Sequence, residues 1–289
     1  MKFDSRQYLR LLASKIHAIV SLIRTHDPDV VNIIKRFVRY HASHDPATRY
    51  AYRHQFLDSV AQRWGFQVYN KHLIWLDDEN FWSVWRNFPD WRKERPDRKF
   101  VVWTIAQQSC QVDGDSAECG VLSGASSFLI CTARQHLPNS PHHVFDSFEG
   151  MSLPDDKDKP MRPGIPEWRH HDLVSPEDVA QKNLRAFPFV RYYKGWIPTR
   201  FQEVANVTFS FIHIDVDLYQ PTADSLHFFY PRLANQGMIL CDDYGYHTCA
   251  GALRALNEFA ADRPNEFFMI HLPTGQCLLV KRKLNRRPA

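Results

Sequence analysis

Apolar residues recur at helical spacing in the first part of the chain, and from about residue 99 they gather into short runs separated by amphipathic stretches. Tyr8, Leu9, Leu11, Leu12, Ile16, Ile19, Val20 and Ile23 fall on one face of a 3.6-residue period, which predicts an amphipathic helix. Asp27-Pro28 offers a capping side chain and a first-turn proline to a second helix, with Val30, Val31, Ile34, Phe37 and Val38 turned inward. A third helix is expected over 47–64, and 66–75 reads as a short hairpin turning at Asn70-Lys71. Phe81, Trp82, Trp85 and Phe88 crowd the next segment; such a stripe could wall a substrate, but its spacing is the commoner mark of packing. The charged, proline-bearing stretch 89–98 is the expected boundary between a helical extension, 1–98, and a second domain, 99–289.

In that second domain strands and helices alternate. Strands are expected at 115–118, 142–146, 190–193, 209–214, 237–241, 267–271 and 277–281, the last two as an antiparallel pair. Helices are expected over 100–110 and 125–135, from Ser175-Pro-Glu onward, along the face Leu226, Phe229, Tyr230 and Leu233, and over 248–261. The pattern predicts a doubly wound α/β sheet of seven strands with a terminal hairpin. Residues 150–174, rich in Pro, Gly and charge, have the composition of a mobile lid.

Composition narrows the partners. Hydrophobic residues make up 44% of the 289-residue chain, enough for a sizeable core, and the net charge of +4 is mild and spread out. No nucleic-acid reader motif accompanies the basic residues near the C-terminus, and no apolar run is long enough to span a membrane. The six cysteines show no CxxC spacing and several fall in apolar runs, which suits reduced thiols in the cytoplasm.

The chemistry gathers at strand ends. The run Phe209-Ser-Phe-Ile-His-Ile suits a strand buried on both faces, yet it leads straight into Asp215 and Asp217. Carboxylates desolvate at a cost of several kcal/mol or more, about what places them at the carboxyl end of a strand, where an open α/β sheet holds its ligands. Gly237-Met-Ile-Leu-Cys finishes likewise in Asp242-Asp243. Asp215, Asp242 and Asp243 can offer oxygen ligands to a hard cation such as Mg²⁺ and leave positions for substrate oxygens. Asp217, two residues on, is placed to take a proton from a metal-bound hydroxyl if the strand persists, with His213 as the competing base. The turn after Glu118 reads Gly-Val-Leu-Ser-Gly and lacks the G-x-G-x-x-G of a pyrophosphate cradle. Asp146, at the end of the second strand, can accept from two ribose hydroxyls. Ribose recognition without a phosphate cradle points to S-adenosylmethionine.

Ala117-Glu-Cys-Gly-Val121, Phe145-Asp-Ser-Phe-Glu-Gly150, His213-Ile-Asp-Val-Asp-Leu-Tyr219, Tyr230-Pro-Arg-Leu233 and Asp242-Asp-Tyr244 occur in this order, and together they resemble the macrocin O-methyltransferase family with its noviose-methylating relatives. The resemblance runs from about Ala117 to Lys281. It implies a Rossmann-like class I methyltransferase fold and a Mg²⁺-dependent transfer of methyl from S-adenosylmethionine to a hydroxyl of a sugar or glycosylated natural product. It further implies that Glu118 and Gly120 line the methionine end of the cofactor and that Asp146 with Ser147 holds the ribose. Trp196 then stands near the cofactor pocket and Glu149 where the lid meets the acceptor, with Asp215, Asp242 and Asp243 on the metal and Asp217 as base. Helical N-terminal segments in the family cover the acceptor and support homodimers or larger homo-oligomers. Where members of the family often carry a Trp-Arg-Gly-Gly turn, this chain has Val121-Leu-Ser-Gly124. Rival readings are a catechol-type methyltransferase, a non-catalytic module on the same fold, and, disfavoured by the missing glycines, a nicotinamide-dependent oxidoreductase.

Overall fold

The computed structural model describes residues 28–63, 73–137 and 139–283. The chain divides into two compact units, Met1–Leu76 and Asp77–Ala289. In the first, α1 (Pro28–Ala42) and α2 (Pro46–Arg63) pair, with the rings of Phe37 and Phe56 5.3 Å apart and Arg36 donating to the carbonyl of Gln55 at 3.1 Å. Asp45 starts α2 by accepting from the backbone N–H of Thr48. The helix expected around 8–23 lies outside the described residues, as does most of the expected hairpin, whose described end, Ile74–Leu76, is a 3-10 turn.

The second unit holds a seven-stranded sheet: β1 (Asp115–Cys119), β2 (His142–Asp146), β3 (Val190–Lys194), β4 (Phe209–Ile214), β5 (Leu233–Cys241), β6 (Phe267–His271) and β7 (Cys277–Lys281). Their order across the sheet is β3-β2-β1-β4-β5-β7-β6. The first five named in that order run parallel, and β7 slots in antiparallel between β5 and β6. This is the Rossmann-like, mostly parallel sheet with a terminal hairpin that the alternation predicts. Every residue of β4 is buried, as its apolar run requires of a central strand. Helices cover both faces: α3 (Glu79–Trp85), α4 (Pro96–Ser109), α5 (Ala125–Arg134), α6 (Glu177–Asn183), α7 (Tyr219–Arg232) and α8 (Ala250–Ala261). Phe145, Ile212, Phe229 and Phe259 pack in one cluster, and Trp85, Leu129, Phe211 and Leu240 in another. Each such side chain contributes on the order of 1.5–3 kcal/mol by leaving water.

Two expectations change. The boundary falls after Leu76 rather than Arg98, because the aromatic stripe is core: Phe81, Trp85 and Phe88 are buried, Trp85 and Phe88 stacked at 5.5 Å. The charged stretch 89–98 runs into α4, whose first-turn proline is Pro96. Leu233 opens β5 instead of closing α7, since Pro231 withholds an N–H from the last turn and the helix stops one residue later.

Candidate active site

Strand order reverses between β1 and β4, so the crevice for a ligand opens at their carboxyl ends. A cavity of about 520 Å³ lies there, lined by Glu118, Gly120, Asp146, Ser147, Trp196, Asp215, Asp217, Asp242 and Asp243 among others. The acids of two strand ends do converge. Ligand atoms of His213, Asp215 and Asp242 lie within 4.8 Å of one another, and so do those of Asp217, Asp243 and Cys249.

Gly120 shows why the turn after β1 needs a glycine. Its φ is +79°, and a Cβ there would collide with the backbone carbonyl of Asp215. That absence of a side chain brings the end of β1 against the end of β4. Asp146 braces the same turn: its carboxylate accepts from the backbone N–H groups of Val121 (2.6 Å), Leu122 (3.2 Å) and Phe148 (2.7 Å). Ser147 accepts from Glu149 N–H and donates to the carbonyl of Gly150.

Asp217 reaches the cavity by another route than the one expected. β4 ends at Ile214, and Asp217 sits in a turn at φ +58° instead of continuing a strand face. Its backbone N–H donates to Asp243 Oδ2 at 3.0 Å, and its Oδ1 accepts from the thiol of Cys249 at 3.3 Å. Burial first, and the charge of Asp215 second, push the Asp217 carboxyl up to about 7. Burial, then Asp217 and Asp215, hold Asp243 well above the usual carboxylate range. Burial also raises the Cys249 thiol, which keeps it a protonated donor.

His213 is fully buried and does not line the cavity. One ring nitrogen is 2.8 Å from Glu118 and the other 3.2 Å from Asp242, so both are engaged in tying the acid of β1 to the acid that follows β5. Glu118 continues inward through Ser127 to His142, whose other nitrogen meets Ser116. Burial holds His142 far below its ordinary value and therefore neutral. Glu149, expected near the acceptor, is exposed and off the cavity wall because the turn at Ser147 directs it outward; only its backbone is engaged, with His171.

Arg98 was not among the expected site residues. Its guanidinium Nη2 touches a carboxylate oxygen of Asp242, lies 3.4 Å from Asp243 and 3.9 Å from Asp215, and donates to the backbone carbonyl of Asp242 at 3.1 Å. The guanidinium also lies over the ring of Tyr246, 4.9 Å from its centroid. Gln276 donates to the remaining side of Asp242. Nothing in the spacing of Arg98 marks it, because its partners lie across the sheet and far along the chain.

The family profile described as macrocin-O-methyltransferase (TylF) matches residues 99–270, more than half of the 289-residue chain. The chain belongs to the macrocin O-methyltransferase family. Among relatives of this chain, the tetracenomycin 4'-O-methyltransferase of Streptomyces olivaceus, named for a 2,3-dimethoxy-rhamnosyl substrate, is 31% identical over 153 residues, 49% of this chain and 57% of the relative. The demethyldecarbamoylnovobiocin O-methyltransferase of Streptomyces niveus is 28% identical over 52% of this chain and 59% of its own length. The chain thus matches less than two thirds of either relative. The O-methyltransferase NovP (23% identical, 64% of this chain and 80% of that one, TM-score 0.51) and the calicheamicin methyltransferase CalS11 (17% identical, 70% and 90%, TM-score 0.54) share the fold. All six cysteines are unpaired, and no helix among the described residues is long and apolar enough to cross a membrane.

Proposed function

We propose that this protein is an S-adenosylmethionine- and Mg²⁺-dependent O-methyltransferase that methylates one hydroxyl of a sugar or glycosylated small molecule. The observation that carries the reading is the convergence of Asp215, Asp217, Asp242 and Asp243 on one cavity wall, with the Gly120 turn packed against the backbone of Asp215.

The residues present suit both absent partners. The close-approach turn at Gly120, with Asp146 and Ser147 on the cavity wall, would hold the ribose and methionine portions of the cofactor. Asp215, Asp242 and Asp243 form an all-oxygen set of the kind a hard divalent ion prefers. When bound, such an ion supplies Lewis acidity that lowers the pKa of an acceptor hydroxyl. Asp217, steadied by the Cys249 thiol at Oδ1, would take the hydroxyl proton. The acceptor oxygen, relieved of its proton, would form the new O–CH3 bond as the S–CH3 bond breaks and the sulfonium leaves as the neutral thioether S-adenosylhomocysteine, with the walls of the cavity supplying proximity.

The segment 150–174 serves as the lid in this reading, over a shorter span than its composition suggests. Asp158 accepts from the N–H of Tyr219 at the start of α7, Arg254 holds the carbonyls of Lys157 and Lys159, and Met151 pairs with His171 and Asp172. Motion is thereby left to about 160–168, whose last residue, Trp168, lines the cavity. A sugar is favoured over a catechol because Phe81, Trp85 and Phe88, the candidate wall for a planar ring, are core. A homodimer in the cytoplasm is the proposed setting, the compartment supported by six reduced cysteines.

Calorimetric titration of S-adenosylmethionine, with and without Mg²⁺, tests the reading. Micromolar binding to the wild type and its loss in Asp146→Ala are expected; no binding under either condition would sink it.

A further inference from the structure

A cation already stands among the acids that would hold the metal, and it belongs to the chain. Arg98 Nη2 touches Asp242 and lies within 4.0 Å of Asp243 and Asp215, the same three residues assigned to the divalent ion. Mg²⁺ takes its oxygens at about 2.0–2.1 Å in near-octahedral geometry. A guanidinium nitrogen in hydrogen-bond reach of the same oxygens leaves no room for that shell. The two cations are alternatives.

We propose that Arg98 is a tethered counter-cation that competes with the divalent ion for Asp215, Asp242 and Asp243, so that the protein loads its metal by displacing its own arginine. The inference rests on the metal-dependent reading above. Arg98 is suited to both positions. It projects from the first turn of α4, its side chain is 16% exposed, and it lines the cavity, so it can swing without unfolding the helix. Its Nε is buried without a partner, and one side of the guanidinium rests on the Tyr246 ring, so the bound position does not use all its donors. Three carboxylates face this one guanidinium, which offsets a single charge, so the cluster still attracts a cation of higher charge. A guanidinium stays charged across the working pH range, so the competition does not depend on its protonation.

The test is Mn²⁺ binding by the full chain, read by calorimetry or by the loss of the free-ion magnetic resonance signal, for wild type, Arg98→Gln and Arg98→Lys. With its competitor gone, Arg98→Gln is expected to bind Mn²⁺ about tenfold tighter than wild type, and Arg98→Lys to fall between. In chelator, Arg98→Gln is expected to melt below wild type, and Mn²⁺ to raise its melting temperature by more than it raises that of wild type. Should Arg98→Gln fail to fold, Arg98→Lys, which keeps the charge on a more flexible stem, still reports the direction. Equal or weaker Mn²⁺ binding by the variants would overturn the proposal, as would an absence of Mn²⁺ binding by every form. S-adenosylmethionine titrated into the same samples separates the two readings: if it binds while no form takes Mn²⁺, the cofactor reading survives and the metal dependence falls with the competition, whereas equal Mn²⁺ binding by every form overturns the competition alone.

Discussion

The two ends of the sheet treat buried charge in opposite ways. At the amino end, Arg134 is buried but donates to Ser109 (2.8 Å), to the carbonyl of Gly114 (2.7 Å) and to Ser140 (2.7 Å). Beside it Asp115 meets His143 at 2.9 Å, and His143 meets Tyr193 at 3.0 Å. Charges there are single and surrounded by neutral groups that hydrogen-bond them, which is how a fold tolerates burial. At the carboxyl end, Asp215, Asp242 and Asp243 crowd one arginine with Asp217 beside Asp243, and two of these four carboxyls are forced upward in pKa. Like charges held together cost stability, and a fold that bears the cost where a cavity opens is a candidate for chemistry. One end finishes the structure; the other is incomplete without ligands.

That contrast can be broken by substitution. Asp217→Asn is expected to lower methyl transfer by about 10²–10³-fold while leaving cofactor and Mn²⁺ binding in place, because it removes the proton acceptor and little else. Arg134→Ala is expected to cost about 3 kcal/mol in urea unfolding, since it removes three hydrogen bonds of a buried side chain and leaves its volume empty, and Mn²⁺ should not restore it. Gly120→Ala should cost at least about 2 kcal/mol and abolish cofactor binding, because the added Cβ meets a carbonyl in a left-handed turn.

The smallest effect is in pH. A carboxyl raised from its ordinary 3.8 to about 7 in the folded protein favours the protonated form. It imposes no penalty below the unfolded value and an increasing one as pH climbs to the folded value. Metal-free wild type should therefore lose stability between about pH 4 and 7, and Asp217→Asn should lose on the order of 2 kcal/mol less over that range in urea titrations.

Much of this was legible before any coordinates. The strands could be read because β4 and β5 are apolar runs with abrupt acidic ends, and buried strands leave acids nowhere else to go. The same logic put Asp215, Asp242 and Asp243 on one cavity wall, although their ligand atoms group Asp215 with Asp242 and Asp243 with Asp217. Asp217 was assigned to the site by a strand periodicity that does not hold there; the turn that delivers it is set by its backbone hydrogen bond to Asp243, a tertiary contact. His213 kept its strand phase, but periodicity does not show that Glu118 and Asp242 occupy both its nitrogens. Arg98 was hidden in a charged, proline-bearing stretch that reads as a linker, because charge alone does not tell which of its residues faces inward.

The central claim is that the acids at the ends of β4 and β5 form a methyl-transfer site with Asp217 as its base. The most direct measurement is transfer of labelled methyl from S-adenosylmethionine, with Mg²⁺, to a panel of sugars, glycosides and catechols, by wild type and by Asp217→Asn. Labelling of at least one sugar or glycoside by wild type, nearly absent in the variant, is the predicted result. Equal labelling by both proteins, or labelling of catechols alone, would contradict it.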